Sequence, residues 1–290
     1  MRYAWLVTSN KTYLPSLNAM LNAMEYYGYE GLDVHIIHDE DIADYLAEIR
    51  EDYSFKILPV PLAGLTKPGH SLPHNLVYAK YKHAWDIRDD YEAIMHIDCD
   101  CLILDNFMKY FEVAGLTDII PCAQFPHTTV TIDDYGQREA EWIHVNTPLA
   151  NFPIFYNPKW HASVMKTIWE MQPNEQTTSD PSKNHEMYFF NKALYESGRM
   201  ERILELPGNL WVTDAFMNHT KLNELIVAGK KTLFNATMDR IQVIHNKFWK
   251  EGIVEGELAR SSNPELTRDN INKMLGMYDF FTALQTAKET

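Results

Sequence analysis

Short apolar runs alternate with stretches of helical periodicity along roughly the first hundred residues of the chain. The runs predict strands at Tyr3 to Thr8, Val34 to Ile37, Phe55 to Val60 and Ala93 to Ile97. Between them, apolar residues recur every three or four positions, which predicts helices at Leu14 to Met24, Ile42 to Ile49 and Leu76 to Arg88. Strands that alternate with helices are typical of βαβ units. We therefore predict an α/β fold with a mostly parallel central sheet flanked by helices.

The pattern continues less regularly over the rest of the chain. It predicts helices at Phe107 to Val113, Trp160 to Met171 and His185 to Gly198, and strands at Asp118 to Ala123, Phe152 to Tyr156, Ile203 to Leu206 and Ile241 to Ile244. A last helix is predicted from Asn263, with an apolar stripe that should pack on the domain. The stretch from Gln124 to Asn151 has no clear period, and loops of such length are usually functional or mobile. It holds polar and aromatic candidates for acceptor contacts, each of which also suits a solvated loop: His127, Asp133, Asp134, Trp142 and His144.

Two carboxylates, Asp98 and Asp100, follow the fourth predicted strand. The apolar run before them suits a strand that is covered on both faces, as in parallel sheets. Ligands bind beyond the carboxyl ends of such strands, and an extended backbone would direct both side chains to the same side. Two carboxylates in one pocket repel each other unless a divalent cation lies between them. The alternative is a solvated Asp-x-Asp turn, and the buried strand favours the metal site.

Polar side chains also follow the first and the last of the predicted strands. Ser9 to Tyr13 carries hydroxyl, amide and aromatic groups, which suit either a nucleotide or a plain helix cap. His245 has Lys247 and Lys250 just beyond it, and its imidazole is a candidate to complete a metal site. The chain has neither Gly-x-Gly-x-x-Gly nor Gly-x-x-x-x-Gly-Lys-Ser/Thr, so a phosphate would have to be held in another way.

The composition is that of an ordinary soluble globular protein, with 290 residues of which 46% are hydrophobic and 23% are charged. The formal net charge of -14 argues against non-specific nucleic-acid binding and against a basic membrane anchor. The three cysteines, Cys99, Cys101 and Cys122, form no Cys-x-x-Cys pair and favour a reducing compartment. No apolar segment has the length of a transmembrane helix or of a signal-peptide core, so we expect a cytoplasmic protein.

Together, these motifs resemble those of the GT-A-fold glycosyltransferases of the glycogenin and bacterial lipopolysaccharide galactosyltransferase type, in order and over most of the chain. That family has a uridine-binding Thr-Asn-Asp-x-Tyr-like loop, an Asp-x-Asp motif that holds manganese on the diphosphate of a nucleotide sugar, and a closing His-Phe-x-Gly-x-x-Lys-Pro-Trp motif. The matching segments are Thr8 to Tyr13, Asp98 to Asp100 and His245 to Lys250. The last of these lacks the Gly and the Pro-Trp of the family.

The resemblance implies a role for each matching residue. The nucleotide or donor would be bound by Val7, Thr8, Ser9, Asn10, Tyr13, Cys99 and a basic residue that is Lys80 or Lys82, with Lys247 or Lys250 on the β-phosphate. Mn²⁺ or Mg²⁺ would be held by Asp98, Asp100 and His245. The implied catalytic residues are Glu186, Asn151 and Lys82. Asn151-Phe152-Pro153 keeps the Asn but not the Gly of the family's Asn-Ser-Gly strand, and Glu186-Met187 replaces its Asp-Gln pair.

The implied activity is the transfer of a hexose from a nucleotide sugar, above all a UDP-sugar, to an acceptor with retention of configuration. A GT-A catalytic domain would span residues 1–255, with a nucleotide-binding half at about 1–105 and an acceptor-side half at about 106–255. A C-terminal helix at 256–290 would pack on this domain.

Three other functions fit parts of the pattern. A phosphatase of the haloacid dehalogenase type would use Asp98 as nucleophile and Asp100 as general acid. In that family, however, the motif usually lies near the start of the domain and continues with Thr or Val, where this chain has Cys101. A sugar nucleotidyltransferase needs a Gly-rich loop with an Arg after the first strand, which Ser9 to Tyr13 lacks. A nucleotide-sugar-binding protein without transfer activity stays open, because Glu186 replaces an Asp and the closing motif is altered.

Overall fold

The computed structural model describes residues 1–103, 105–124, 150–172, 186–206, 211–213 and 243–245. The chain divides into two compact units that interleave along the sequence. The first comprises Met1–Thr8, Gly31–Asp98 and Phe107–Gly208, and the second comprises Ser9–Glu30, Cys99–Asn106 and Asn209–Thr290. The predicted acceptor contacts of the 125–149 stretch, the C-terminal helix at 256–290, Lys247 and Lys250 lie outside the described residues. The predicted division of the chain into two successive halves stays a prediction.

Most of the elements that the hydrophobic pattern indicates are present. The strands are β1 (Tyr3–Ser9), β2 (Asp33–His38), β3 (Lys56–Pro61), β4 (Ala93–His96), β5 (Cys101–Ile103), β6 (Ile120–Gln124), β7 (Ala150–Tyr156), β8 (Ile203–Glu205), β9 (Trp211–Thr213) and β10 (Val243–His245). The helices are α1 (Leu14–Tyr26), α2 (Ala43–Ile49), α3 (Leu72–Asp86), α4 (Met108–Leu116), α5 (Pro158–Met171) and α6 (Glu186–Glu196).

A seven-stranded sheet lies at the centre of the first unit, in the order β3-β2-β1-β4-β7-β6-β8. β1 runs parallel to β4, β2 to β3 and β6 to β8, whereas β7 is antiparallel to β4 and to β6. β4 is paired on both edges, and its four residues are fully buried. Helices pack around this sheet, with α4 on β4 and β7, and with α3 on α5. The predicted α/β fold with a mostly parallel central sheet is therefore confirmed.

The second unit contains a separate three-stranded sheet in the order β5-β10-β9. β10 is antiparallel to β5 and parallel to β9, and its register places His245 opposite Cys101. α1 packs on β5 with an inner face of leucine and methionine side chains at helical spacing. Among the described residues, no helix combines the length and the apolar character needed to cross a bilayer.

Several element boundaries differ from the sequence prediction. α3 begins at Leu72 rather than Leu76, because Pro73 stands in its first turn, where proline does not interrupt the hydrogen bonding of a helix. β10 ends with His245, whereas the prediction ended this strand at Ile244. The short strands β5 and β9 were not predicted, since three residues are too few to show a period.

A chain of side-chain hydrogen bonds also crosses the first unit, from Arg2 to His83. Arg2 donates to Asp33 at 2.7 Å, and the Tyr91 hydroxyl donates to the same carboxylate oxygen at 2.8 Å. The tyrosine oxygen therefore accepts from His35 Nε2 at 2.8 Å. Because burial lowers the pKa of His35 to about 3, its ring is neutral at pH 7, and Nδ1 accepts from His83 Nε2 at 2.9 Å. In this arrangement both imidazoles carry their proton on Nε2.

The two histidines in this chain of hydrogen bonds, His35 and His83, should make the stability of the protein decrease at acidic pH. Burial lowers the pKa of His35 to about 3 and that of His83 to about 4. Between pH 6.5 and these values the unfolded chain binds more protons than the folded one, so the free energy of unfolding decreases as the pH falls. We expect a loss of about 1–2 kcal/mol per histidine between pH 7 and pH 5, measured by urea unfolding. His83→Gln should show a shallower decline, and an unchanged pH dependence in that variant would contradict the assignment.

Candidate functional site

Lys80 occupies the buried face of α3, among positions that are otherwise apolar. Leu76, Ala79 and Ala84 lie on this face at helical spacing, and Lys80 itself is only 1% exposed. Lysine is almost never fully buried without a charged partner, because its ammonium group loses its hydration. The position of Lys80 therefore indicates a specific set of partners.

The Lys80 ammonium group has three partners in the first unit. Nζ donates to Asp98 Oδ1 at 2.9 Å and to Glu186 Oε1 at 3.1 Å. It also lies 4.0 Å from the centroid of the Phe152 ring, which is a close cation–π contact. An ammonium group has three N–H donors, and the two carboxylates account for two of them.

Three elements of the sheet and its helices bring these partners together. Asp98 lies two residues beyond β4, at the carboxyl end where parallel sheets bind ligands. Glu186 begins α6 and is buried, although its position in the first turn alone also suits the helix dipole. Phe152 comes from β7, the antiparallel neighbour of β4. The Asp98 side chain is 32% exposed and that of Glu186 is 9% exposed, so Asp98 is the more accessible carboxylate.

The two carboxylates of this cluster stabilise the ionised form of Lys80. Burial by itself would lower the pKa of Lys80, but the carboxylates of Asp98 and Glu186 outweigh it and raise that pKa above its ordinary value. Burial, with a contribution from Glu186, raises the pKa of Tyr78 and Tyr81 well above 10, so both phenols stay neutral. The cluster thus carries one positive and two negative charges in a shell of uncharged rings.

A histidine and a tyrosine lie behind this cluster, and neither was singled out by the sequence. His96, the last residue of β4, is fully buried and shares a hydrogen bond of 2.9 Å between Nε2 and the Tyr156 hydroxyl. The His96 ring is also 5.2 Å from that of Tyr81. Burial, assisted by the positive charge of Lys80, lowers the pKa of His96 far below 6.5, so its imidazole is neutral. The group therefore contributes packing and a hydrogen bond without adding charge.

The predicted nucleotide loop begins at the end of β1. Val7 and Ser9 are buried in that strand, and Thr8 is half-buried. Asn10 Oδ1 accepts a hydrogen bond of 3.0 Å from the Thr12 backbone and caps a short 3-10 helix that ends at Tyr13. The capping alternative from the sequence is thus confirmed for Asn10, and the nucleotide role of the loop stays a prediction.

The backbone of the acidic motif differs from the extended form that the sequence argument assumed. Cys99 and Asp100 form a turn, and β5 begins at Cys101. Alternation along a strand therefore does not determine the directions of the Asp98 and Asp100 side chains. Asp98 ends a segment of the first unit, whereas Asp100 belongs to the second and is buried there.

In the second unit, the sheet register brings Asp100 and His245 near each other along the backbone. His245 pairs with Cys101, the residue that directly follows Asp100. A carboxylate and an imidazole are suitable ligands for Mn²⁺, which accepts both oxygen and nitrogen donors. Within the described ranges, no three histidine, cysteine or acidic side chains form a group that could hold a metal ion.

The structure separates the two lysines that the sequence left as alternatives. Lys80 contacts Asp98 and Glu186, whereas Lys82 makes a surface ion pair of 2.6 Å with Asp86, one turn further along α3. Asn151 lies in β7, and its backbone pairs with Ala123 of β6. Of the predicted site residues, Lys80, Asp98 and Glu186 are thus brought into direct contact.

Two members of the cluster carry only weak signals in the sequence. Phe152 reads as an ordinary strand residue, and the link between Lys80 and Glu186 spans 106 positions. The sequence does contain one signal, a lysine on the apolar face of a helix. Such a side chain is buried and therefore needs a buried counter-charge. The identity of that counter-charge depends on the tertiary structure.

Comparison with known proteins identifies the fold. No family model and no curated protein matches the sequence. The chain is similar in structure to mouse xyloside xylosyltransferase 1 in its apo form, with a TM-score of 0.56 and 13% identity, over 86% of this chain and 99% of the other. It is also similar to the galactosyltransferase LgtC in complex with donor and acceptor sugar analogs, with a TM-score of 0.53 and 14% identity, over 90% and 98% of the two chains.

A third structure extends the comparison to the whole of this chain. The apo form of the glycosyltransferase GlyE from Streptococcus pneumoniae TIGR4 has a TM-score of 0.56 and 9% identity, and the match covers 100% of this chain and 64% of that one. At identities this low, structural similarity shows a common fold and leaves substrates and site residues undetermined. The central sheet, its order and its flanking helices therefore show that this chain has the GT-A fold of these glycosyltransferases.

Proposed function

We propose that the protein is a metal-dependent glycosyltransferase that moves a hexose from a UDP-sugar to an acceptor with retention of configuration. The observation that carries the proposal is the contact of Lys80 with Asp98 and Glu186 beyond the end of β4. It supports the proposal because the two carboxylates meet beyond the carboxyl end of a strand, where α/β sheets generally bind their ligands, in a chain with the fold of known glycosyltransferases. One of these neighbours was crystallised with donor and acceptor sugar analogs, which supports the same two classes of ligand here.

The proposed donor site combines residues from several segments. Val7, Thr8, Ser9, Asn10, Tyr13 and Cys99 would bind the nucleotide, and Lys247 or Lys250 would contact its β-phosphate. Asp98, Asp100 and His245 would hold a divalent cation, and their oxygen and nitrogen donors suit Mn²⁺ or Mg²⁺. When bound, such an ion supplies Lewis-acid neutralisation of the charge that develops on the leaving diphosphate.

The remaining residues would act on the sugar. Glycosyl transfer passes through an oxocarbenium-like transition state, which a nearby carboxylate stabilises. Glu186 is the proposed carboxylate, and Asn151 is a second candidate near the donor. Of the two lysines, Lys80 is favoured as the one that belongs to this site, because it contacts the Asp98 and Glu186 carboxylates, whereas Lys82 is paired with Asp86 at the surface.

Calorimetry of the purified protein with UDP and a panel of UDP-hexoses tests the proposal. We expect UDP binding that requires Mn²⁺ and is lost in EDTA, and slow hydrolysis of one UDP-sugar to UDP and free sugar. Turnover of p-nitrophenyl phosphate with Mg²⁺, together with no UDP binding, would instead support the phosphatase with Asp98 as nucleophile. Metal-dependent UDP-sugar binding without hydrolysis, and without transfer to any glycan acceptor, would indicate a binding protein.

A further inference from the structure

We propose that Lys80 is a built-in counter-ion that competes with the divalent cation for Asp98 and thereby sets the cation affinity of the site. The inference deepens the proposed function and rests on it. This role differs from direct binding of the nucleotide-sugar donor, which the family resemblance implies for Lys80 or Lys82. The observations that carry it are the partners, the burial and the charge of the Lys80 ammonium group.

The ammonium group of Lys80 is buried among its own partners and is not exposed to a substrate phosphate. Nζ donates to Asp98 and Glu186 at 2.9 and 3.1 Å, and the centroid of the Phe152 ring lies 4.0 Å from it. Its 1% exposure also removes it from the surface that a nucleotide would contact. A lysine in this position acts on bound ligands through the two carboxylates.

The direct partner of the ammonium group is also a proposed metal ligand. An ammonium ion 2.9 Å from Asp98 Oδ1 neutralises a carboxylate that the cation would otherwise attract with its full charge. Because the repulsion between two positive charges several ångströms apart in a protein is substantial, the presence of Lys80 should weaken cation binding about tenfold or more.

Glu186 controls how strongly Lys80 holds Asp98. The ammonium group is shared between the two carboxylates at nearly equal distances, 2.9 and 3.1 Å. Removing the charge of Glu186 would leave Asp98 as the only anionic partner of the lysine in this cluster, and the competition with a cation would increase. Lys80 therefore lowers the cation affinity of Asp98, and Glu186 restores part of that affinity because it shares the ammonium group.

Titration of Mn²⁺ alone, by calorimetry on the full chain, tests this balance. We expect Lys80→Met to bind Mn²⁺ about tenfold or more tightly than wild type, and Glu186→Gln to bind it several-fold more weakly. Lys166→Met serves as the matched control, since Lys166 makes an exposed helical ion pair with Glu170. This control should leave the Mn²⁺ affinity unchanged.

The double variant Lys80→Met/Glu186→Gln separates competition for Asp98 from an effect of net charge. It removes one positive and one negative charge, so the cluster keeps the net charge of the wild type while Asp98 loses its ammonium partner. Tighter Mn²⁺ binding than wild type supports the proposal, and equal or weaker binding overturns it. The double variant also carries the test if Lys80→Met alone does not fold.

The outcomes distinguish this inference from the proposed function. If the wild type binds Mn²⁺ and UDP but neither Lys80 variant binds Mn²⁺ more tightly, the counter-ion role is wrong and the proposed transferase is unaffected. If wild type and variants all fail to bind Mn²⁺ and UDP, both proposals are overturned.

Discussion

Replacing Lys80 with methionine should lower the free energy of unfolding by about 3–5 kcal/mol, which is the usual cost of removing one member of a buried ion pair. The variant keeps most of the length of the side chain but removes the ammonium group that both the Asp98 and the Glu186 carboxylates contact. Glu186 is buried at a side-chain exposure of 9%, so water cannot replace the ammonium group there. Urea unfolding followed by circular dichroism measures the change.

Two matched variants identify the origin of this loss. Lys166→Met removes an exposed ammonium group from a helical ion pair and should change the stability by less than about 0.5 kcal/mol. Adding Glu186→Gln to Lys80→Met should restore part of the stability, because the one remaining carboxylate, Asp98, is partly exposed and can be hydrated. A loss below about 1 kcal/mol in Lys80→Met would show that the cluster contributes little to folding.

The regular part of the fold could be predicted because each element there carries its own hydrophobic signal. β1, β2, β3 and β4 appear as apolar runs, and the intervening helices have a clear period. The antiparallel direction of β7 has no such signal, since an apolar strand reads the same in either orientation. Strand direction is decided by the connections, and the stretch before β7 has no period from which a connection could be inferred.

The side-chain directions of Asp98 and Asp100 could not be predicted from the local sequence. A strand followed by Asp98 and Asp100 was predicted correctly, but the common direction of the two side chains assumed an extended backbone. The chain turns at Cys99 and Asp100 and then enters β5, which belongs to a different sheet. The partner of β5 is β10, roughly 140 positions later, and this pairing could be suspected only from family resemblance.

The sequence left two alternatives, Lys80 and Lys82, for the lysine of the site. Lys80 and Lys82 lie on the same helix with the same chemistry, and only the direction of each side chain separates them. Helical geometry places residues two apart on different faces, so one lysine of the pair is buried and the other is exposed. The apolar neighbours of Lys80 at helical spacing contained that information, because they mark the buried face of α3.

Asp100→Ala should abolish Mn²⁺-dependent UDP binding and reduce kcat/KM for the UDP-sugar by at least about 100-fold, or roughly 3 kcal/mol of transition-state stabilisation. Asp100 is 7% exposed, and the register of β5 and β10 places His245 beside it along the backbone. A metal ligand at this position would lose both the charge and the donor atom that a divalent cation needs. Calorimetry gives the UDP affinity with and without Mn²⁺, and steady-state kinetics give kcat/KM.

Two further variants make this result specific to the proposed ligand. Asp100→Asn keeps the shape of the side chain, so loss of binding in both Asp100 variants reports the missing charge rather than misfolding. Asp90→Ala removes an exposed carboxylate on the same unit as β4 and should retain the wild-type UDP affinity. Unchanged Mn²⁺-dependent UDP binding in Asp100→Ala would remove this residue from the metal site. The carboxylate at Asp98 would then have to bind the cation with other partners, and His245→Ala would show whether the imidazole is one of them.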